Sequence, residues 1–279
     1  MKMKQYIDMH IHTRISDGTM SPSEVVEEAS KKGISILSIT DHDSIAGIEE
    51  AKEVGENFNI TIIPGIELRT SPNKDVEILG YFIDLDSIEL IDYIKKIREK
   101  EVYWAIRTIS KLKKQKVTLD VDKVINQSSV INYASIAQEI VNNGYANSIQ
   151  EACDNFLNIN LSDGIGVNTY TPEQCIRLIK QAKGLSFLAH PSRISNDFDE
   201  IFVFIKHLMN SGLNGIECYH PENSPELTQK LLLFANQNEL FVSGGSDYHG
   251  KNKSYRMGQM NIPIDVFYSI ANSENKYTN

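Results

Sequence analysis

Five of the seven histidines in this chain stand among carboxylates and glycines. They lie in Asp8-Met9-His10-Ile11-His12, Thr40-Asp41-His42-Asp43, Leu188-Ala189-His190-Pro191 and Gly245-Ser246-Asp247-Tyr248-His249-Gly250. Asp17 in Ser16-Asp17-Gly18 and Glu67 in Gly65-Ile66-Glu67 belong with them. Imidazole nitrogens and carboxylate oxygens together form the donor set of divalent transition metals. Residues two apart on a strand leave the same face, so His10 and His12 can reach one cation. Glu67 has two oxygens and can bridge two cations, as a two-metal hydrolytic site requires. Asp8, Asp41 and Asp43 are candidates for holding the ligands in place rather than touching metal, and Asp43 alternatively caps the next helix. Arg193 offers a planar fork that suits phosphate. Gly244 and Gly245 allow the backbone to turn close to bound ions. Taken singly, each motif also has a plain structural reading: a polar strand end for His10 and His12, a lone rim glutamate for Glu67. His207 sits inside a helical pattern and is read as structural or exposed. His220, in Glu217-Cys218-Tyr219-His220-Pro221, is a candidate substrate contact or acid.

Such scattered residues need a scaffold that brings them together. Strands are expected at Tyr6–Ile11, Ile34–Thr40, Asn59–Leu68 and Val76–Ile83, with helices at Pro22–Lys32 and Ile45–Phe58. Ser21 as N-cap, Pro22 in the first turn, Glu24 three residues after the cap and Gly33 at the end bound the first helix. The short strand–helix spacing implies parallel pairing. Near residue 84 the rhythm breaks. Leu90–Gln115 is a long amphipathic helix, followed by short helices at Val121–Ile125, Ser135–Asn142 and Ile149–Leu157. Residues 85–168 therefore read as a helical insertion into a domain formed by 1–84 and 169–272. After Thr171 the alternation resumes: a Thr171-capped helix through Lys183, strands at Leu185–Ala189, Leu213–Cys218 and Leu240–Gly244, and helices at Phe198–Met209 and Pro225–Asn236. The tail after Ser273 is polar and expected to fray. Each histidine or carboxylate candidate named above falls at the carboxyl end of a strand or just after it, the rim that carries active sites in α/β barrels and open sheets.

The chain's 279 residues suit one barrel, or a smaller core with a subdomain. A formal charge of -9 argues against a broad nucleic-acid groove, because polyanion binding is mostly phosphate neutralisation. It leaves room for a short phosphorylated substrate held by metal ions, which reverse the local field. No signal peptide or membrane span is read, and Cys153, Cys175 and Cys218 read as reduced and buried, so a cytoplasmic protein is expected.

Quoted together, Asp8-Met9-His10-Ile11-His12-Thr13, Ser16-Asp17-Gly18, Ile39-Thr40-Asp41-His42-Asp43, Gly65-Ile66-Glu67, Ala189-His190-Pro191-Ser192-Arg193 and Gly245-Ser246-Asp247-Tyr248-His249-Gly250 resemble the polymerase and histidinol phosphatase (PHP) family of metal-dependent phosphoesterases. The resemblance covers nearly the whole chain. It is similar in particular to the small bacterial branch acting on nucleoside 3',5'-bisphosphates, AMP-like compounds, short RNA 5' ends or cyclic ribose phosphates. It implies an α/β fold, a distorted seven-stranded β/α (TIM-like) barrel with a helical insertion and a trinuclear site. By position, His10, His12, Glu67 and Asp247 would hold one metal, Glu67 and His190 a second, and Asp17, His42 and His249 a third. Two to three divalent ions are expected, manganese first, with iron, zinc or magnesium as alternatives.

Two segments depart from the family pattern. Where the family reads valine-histidine-X-leucine-glycine-tyrosine, this chain reads Val76-Glu77-Ile78-Leu79-Gly80-Tyr81, so Glu77 replaces a ligating histidine. A carboxylate still ligates, and favours manganese or magnesium over zinc. The insertion's Gly-Arg-Pro-His-Ile-Ala motif is here Asn132-Tyr133-Ala134-Ser135-Ile136-Ala137. Tyr133 and Ser135 can donate hydrogen bonds to a phosphate but bring no charge. The resulting expectation is hydrolysis of a phosphate monoester on a small nucleotide by metal-activated water, with Arg193 on the phosphate and a metal-bound water, His220 or His249 as acid. Cyclic phosphodiesterase, 5'-3' exoribonuclease on short RNA and histidinol-phosphatase-like activities are the alternatives, with an inactive binding module behind them. A barrel amidohydrolase fits less well, since no lysine stands at a mid-barrel strand end. The expected partner is a small phosphorylated molecule, with no stable nucleic-acid complex, no membrane, and a monomer or small homo-oligomer.

Overall fold

The computed structural model describes residues 6–73, 75–127, 129–157 and 169–274. It divides into two compact units, one of residues 1–90 and 170–279 and the other of residues 91–169.

The first unit is an α/β barrel, nearly closed. Its strands are β1 (Tyr6–Ile11), β2 (Ile34–Ile39), β3 (Thr61–Arg69), β4 (Glu77–Tyr81), β5 (Leu185–Leu188), β6 (Gly215–Tyr219), β7 (Phe241–Gly244) and β8 (Ile262–Pro263). They run in the order β7-β6-β5-β4-β3-β2-β1-β8. The sheet thus has eight strands rather than the expected seven. The extra one is a two-residue strand that pairs antiparallel with the start of β1, too short to carry a periodic signal. β4 also breaks the expected parallel pattern, running antiparallel to both β3 and β5. β3 and β4 are joined directly, without the crossover helix that parallel neighbours need.

The ring closes at one rim. The chain leaving β7 turns back onto β1: Ile11 and Tyr248 form a parallel bridge, with a His12 N to Tyr248 O hydrogen bond of 2.9 Å. Gly245 permits the approach. A Cβ there would meet His10 Cβ at 2.3 Å and His10 N at 2.4 Å.

The helices begin where local chemistry dictates. In α1 (Pro22–Lys31) the Ser21 hydroxyl accepts from Glu24 N while the Glu24 carboxylate accepts from Ser21 N, a full capping box. Thr171 and Gln174 make the same box ahead of the helix Pro172–Gln181. Helix α2 spans Ile48–Phe58 with Gly47 at its N-cap, so Asp43 does not cap it. The barrel core gathers Ile7, Met9, Leu79, Tyr81 and Phe187 with Phe267 and Ile270. The last two come from the C-terminal helix Ile264–Glu274, which the sequence reading left out.

The second unit has its own core, including Ala105, Leu112, Val124, Ile136 and Ile140. The long helix Ile88–Lys114 leads into it, followed by helices Val121–Asn126 and Tyr133–Asn142 and a helical turn Ile149–Ala152 that continues as a π-turn through Leu157. Residues 158–168 of the expected insertion lie outside the described residues.

Candidate metal centre

Parity places the first two donors. Asp8 and His10 share a face of β1, His12 follows one residue beyond its end, and all three are buried. The Nε2 atoms of His10 and His12 stand 3.1 Å apart. Glu67 Oε2 lies 3.3 Å from His10 Nε2 and 3.1 Å from His12 Nε2. Asp247 Oδ1 lies 3.5 Å and 3.4 Å from the same two nitrogens. Metal–nitrogen bonds of about 2.1 Å put adjacent ligand atoms roughly 3.0–3.4 Å apart, so these four atoms are spaced like ligands around one cation. Two nitrogens facing each other at that distance have room between them for one proton and not for two.

The cluster extends in two directions. Glu67 turns its other oxygen to His190, with Oε1 3.0 Å from His190 Nε2. Glu77 Oε2 lies 3.2 Å from His190 Nε2, and its Oε1 3.5 Å from His42 Nδ1. Glu77 therefore reaches the centre although it opens a strand rather than ending one. Because β4 is antiparallel, its first residue lies at the rim where its neighbours finish, and Arg69 pairs with Glu77 across β3 and β4. On the other side Asp17 Oδ1 stands 3.2 Å from His249 Nε2 and 3.5 Å from His12 Nδ1, and its Oδ2 3.8 Å from His42 Nε2. Among the described residues three overlapping sets are placed to hold an ion: His10, His12 and Asp247; His12, Asp17, His42 and His249; His42, Glu67 and Glu77. Sharing through His12 and His42 makes them one continuous cluster.

Donor atoms are left over, as an ion site requires. His12 Nδ1, His42 Nδ1, His190 Nδ1, His220 Nε2 and His249 Nε2 are buried without a hydrogen bond. Rim backbone is also strained, with φ of 25° at His190, 50° at Asp247 and 45° at Asp43, all in the left-handed region. Burial alone would pull the His12 pKa down, but Asp247 and Glu67 raise it to about 9. His190 follows the same pattern, raised to about 9 against burial by Glu67 and Glu77. Against burial, the surrounding histidines hold Asp17, Glu67 and Asp247 well below the usual carboxylate range. His12 and His190 with Asp17, Glu67 and Asp247 thus favour a lattice of imidazolium and carboxylate, while burial lowers the pKa of His249 beside them.

The three supporting aspartates do different jobs. Asp41 takes hydrogen bonds from Thr13 N, Thr13 Oγ1 and Ser16 Oγ at 2.8, 2.7 and 2.6 Å, ordering the loop that presents Asp17. Asp43 pairs with Arg69 Nε at 2.5 Å. Asp8, expected to orient a histidine, instead accepts from the backbone N–H groups of Ser246 and Gly258, each at 2.8 Å, and anchors the loop after β7. Glu217, which the sequence reading missed, has the orienting position. Its Oε1 is 2.8 Å from His10 Nδ1, and its Oε2 accepts from His190 N at 2.8 Å. A lone carboxylate inside the apolar strand Gly215–Tyr219 was the available signal.

Arg193 and His220 both face the cluster. Arg193 Nη2 donates to Asp247 Oδ2 at 2.8 Å, and His220 Nε2 lies 3.5 Å from the same oxygen. His220 Nδ1 accepts from Glu222 N at 3.1 Å, which puts the ring proton on Nε2. Burial lowers the His220 pKa, keeping the ring neutral. His207 is exposed and pairs with Glu173 at 2.8 Å, away from the cluster residues. Tyr133 and Ser135 belong to the second unit. Ser135 Oγ accepts from Asn132 N in a capping box, and Tyr133 packs edge-on to Trp104.

Known proteins share this arrangement of sequence and fold. The chain is 27% identical over 247 residues to the 5'-3' exoribonuclease Rnm of Escherichia coli, covering 87% of this chain and 84% of that one. It is 26% identical over 254 residues to the 3',5'-nucleoside bisphosphate phosphatase of Chromobacterium violaceum, covering 90% and 89%. A solved structure from Bifidobacterium adolescentis, provisionally assigned as a metal-dependent phosphoesterase, superposes with a TM-score of 0.79 at 26% identity over 96% of both chains. The family model for the PHP domain matches residues 8–241, and the chain belongs to that family.

Proposed function

We propose that the substrate is a small nucleotide carrying a phosphate monoester, such as a nucleoside 3',5'-bisphosphate or an AMP-like compound. The class of chemistry is established: the protein is a metal-dependent phosphoesterase acting on a small phosphorylated substrate. The observation that carries this reading is the four-atom set His10 Nε2, His12 Nε2, Glu67 Oε2 and Asp247 Oδ1, together with the buried imidazole nitrogens around it that make no hydrogen bond. In our reading those four residues hold the first ion, Glu67, Glu77 and His190 the second, and Asp17, His42 and His249 the third. Bound cations lower the pKa of a water and neutralise phosphoryl oxygens. Glu77 adds an oxygen donor where an imidazole would favour zinc, so manganese is the expected occupant, with magnesium, iron or zinc behind it.

The chain's own residues do the rest. Arg193 holds the phosphate, while the neutral Nε2–H of His220 is positioned to donate to a leaving-group oxygen. Glu217 fixes the His10 ring through Nδ1. The net charge of -9 disfavours a long polyanion and favours a mononucleotide. Residues 1–84 and 169–272 are taken as the catalytic barrel, working in the cytoplasm as a monomer or small homo-oligomer. Among the described residues no helix is long and apolar enough to cross a membrane.

A second reading, 5'-3' exoribonuclease activity on short RNA, is favoured by the likeness to the Escherichia coli enzyme. The manganese-loaded protein should be tested against 3',5'-bisphosphonucleosides, cyclic ribose phosphates, histidinol phosphate and short 5'-phosphorylated oligonucleotides. The reading expects the fastest turnover on the bisphosphonucleoside. Preference for the oligonucleotide or the cyclic ester would overturn the monoester assignment.

A further inference from the structure

Asp247 divides its two oxygens between different neighbours. Oδ1 faces His10, His12 and His249 at 3.5, 3.4 and 3.4 Å. Oδ2, with His220 Nε2 3.5 Å away, takes hydrogen bonds from two cations, Arg193 Nη2 and Lys253 Nζ, both at 2.8 Å. Lys253 lies on the loop after His249, and nothing in its sequence context marks it.

A guanidinium has two edges that can grip an oxyanion, a side edge of Nε with one Nη and an end edge of both Nη atoms. In Arg193 the side edge is already occupied. Glu222 takes it bidentately, with Oε2 2.7 Å from Nε and Oε1 2.9 Å from Nη2. Tyr255 hydrogen-bonds to the same Glu222 Oε1. Arg193 outweighs burial and keeps the Glu222 carboxyl ionised, with its pKa at about 2. The end edge is left pointing inward, Nη2 at Asp247 Oδ2 and Nη1 3.9 Å from Glu77 Oε2. A carboxylate that merely competed for Arg193 would sit on the inner edge; this one braces the outer edge.

We propose that Lys253 and Arg193 form a two-cation clamp for the substrate phosphate, with Glu222 and Tyr255 as the brace that holds Arg193 in it. The proposal rests on the phosphoesterase reading and adds to it a residue that touches substrate, Lys253, and a positioning residue, Glu222. Both cations reach one oxygen on the rim of the donor cluster, so a phosphate over the cluster meets both. A clamp of this form also needs no cation from the insertion.

The test uses inorganic phosphate as probe on the manganese-loaded full-length chain. Its Kd is measured by calorimetry and its inhibition constant against p-nitrophenyl phosphate hydrolysis, with manganese per chain counted in parallel. Lys253→Met should weaken phosphate binding roughly 10-fold and raise KM more than it lowers kcat, the effect of losing one charge-assisted hydrogen bond. Manganese content should stay at the wild-type value, and Lys253→Arg should recover most of the affinity. Glu222→Gln should also weaken phosphate binding, and Glu222→Asp should recover less than Lys253→Arg does, because its carboxylate is one methylene short. Lys253→Met with phosphate binding unchanged would overturn the clamp even where wild-type hydrolysis and its metal dependence stand. So would a fall in manganese content with phosphate affinity per loaded chain intact, which would make Lys253 a support for Asp247 alone. A wild type that hydrolyses no phosphoester would instead sink the phosphoesterase reading, while calorimetry would still decide the clamp.

Discussion

Glu217 is a single carboxylate with two tasks, orienting the His10 ring and holding the His190 backbone. Partners of that kind set ligand tautomer and ring angle, and their loss costs about 10–100-fold in metal affinity or activity. Glu217→Gln should therefore reduce kcat/KM by about that factor, with much of the loss recovered at high manganese; an unchanged metal titration would remove Glu217 from the centre. His10 with His12 and Asp247 with His249 were legible in the sequence because residue type and two-residue spacing both constrain them, and His42 because it ends an apolar strand. Glu217 was not, since one acid within an apolar strand also reads as a strand end. Lys253 and Tyr255 sit on a loop, where no periodicity restricts the direction of a side chain.

At the level of strands, the centre depends on how β7 returns to β1. Gly245 lies against the His10 backbone, so Gly245→Ala forces apart the two strands that carry three of the central donors. Overpacking of this kind costs about 1–3 kcal/mol. The variant should melt at lower temperature and bind less than the wild-type complement of manganese. Wild-type melting and full loading would show that the closure has slack the structure does not suggest. Most strands and helices were readable from hydrophobic runs and from the capping residues Ser21 and Thr171. The antiparallel direction of β4 was not, because a five-residue buried strand reads the same in either direction. That direction is what brings Glu77 to the rim, so its place could not follow from a rule that ligands sit at carboxyl ends. The helix Ile264–Glu274 was overlooked although Phe267 and Ile270 are spaced to share a face.

Over the molecule as a whole, protons and metal ions compete for one cluster. His12 and His190 have pKa values of about 9 against an ordinary 6.5, so at pH 7 each metal ion must displace protons. Manganese uptake at pH 7 should release protons held by His10, His12 and His190, read by calorimetry in buffers of different ionisation enthalpy. The sign for stability follows. A raised histidine pKa stabilises the metal-free fold fully below pH 6.5, and that contribution disappears as pH rises through about 9. The chelated protein should therefore lose melting temperature between those pH values, while the gap to the loaded protein widens. A gap that narrows with rising pH would contradict the imidazolium–carboxylate lattice.

The most direct measurement is hydrolysis before and after the metal is removed. Wild-type protein and Asp247→Ala should be chelated, counted for residual metal, and titrated with manganese while phosphoester hydrolysis is followed. The account predicts that chelation abolishes the wild-type rate, that manganese restores it as the cluster fills towards three ions per chain, and that Asp247→Ala stays inactive throughout. A chelated wild type that keeps its full rate would contradict it.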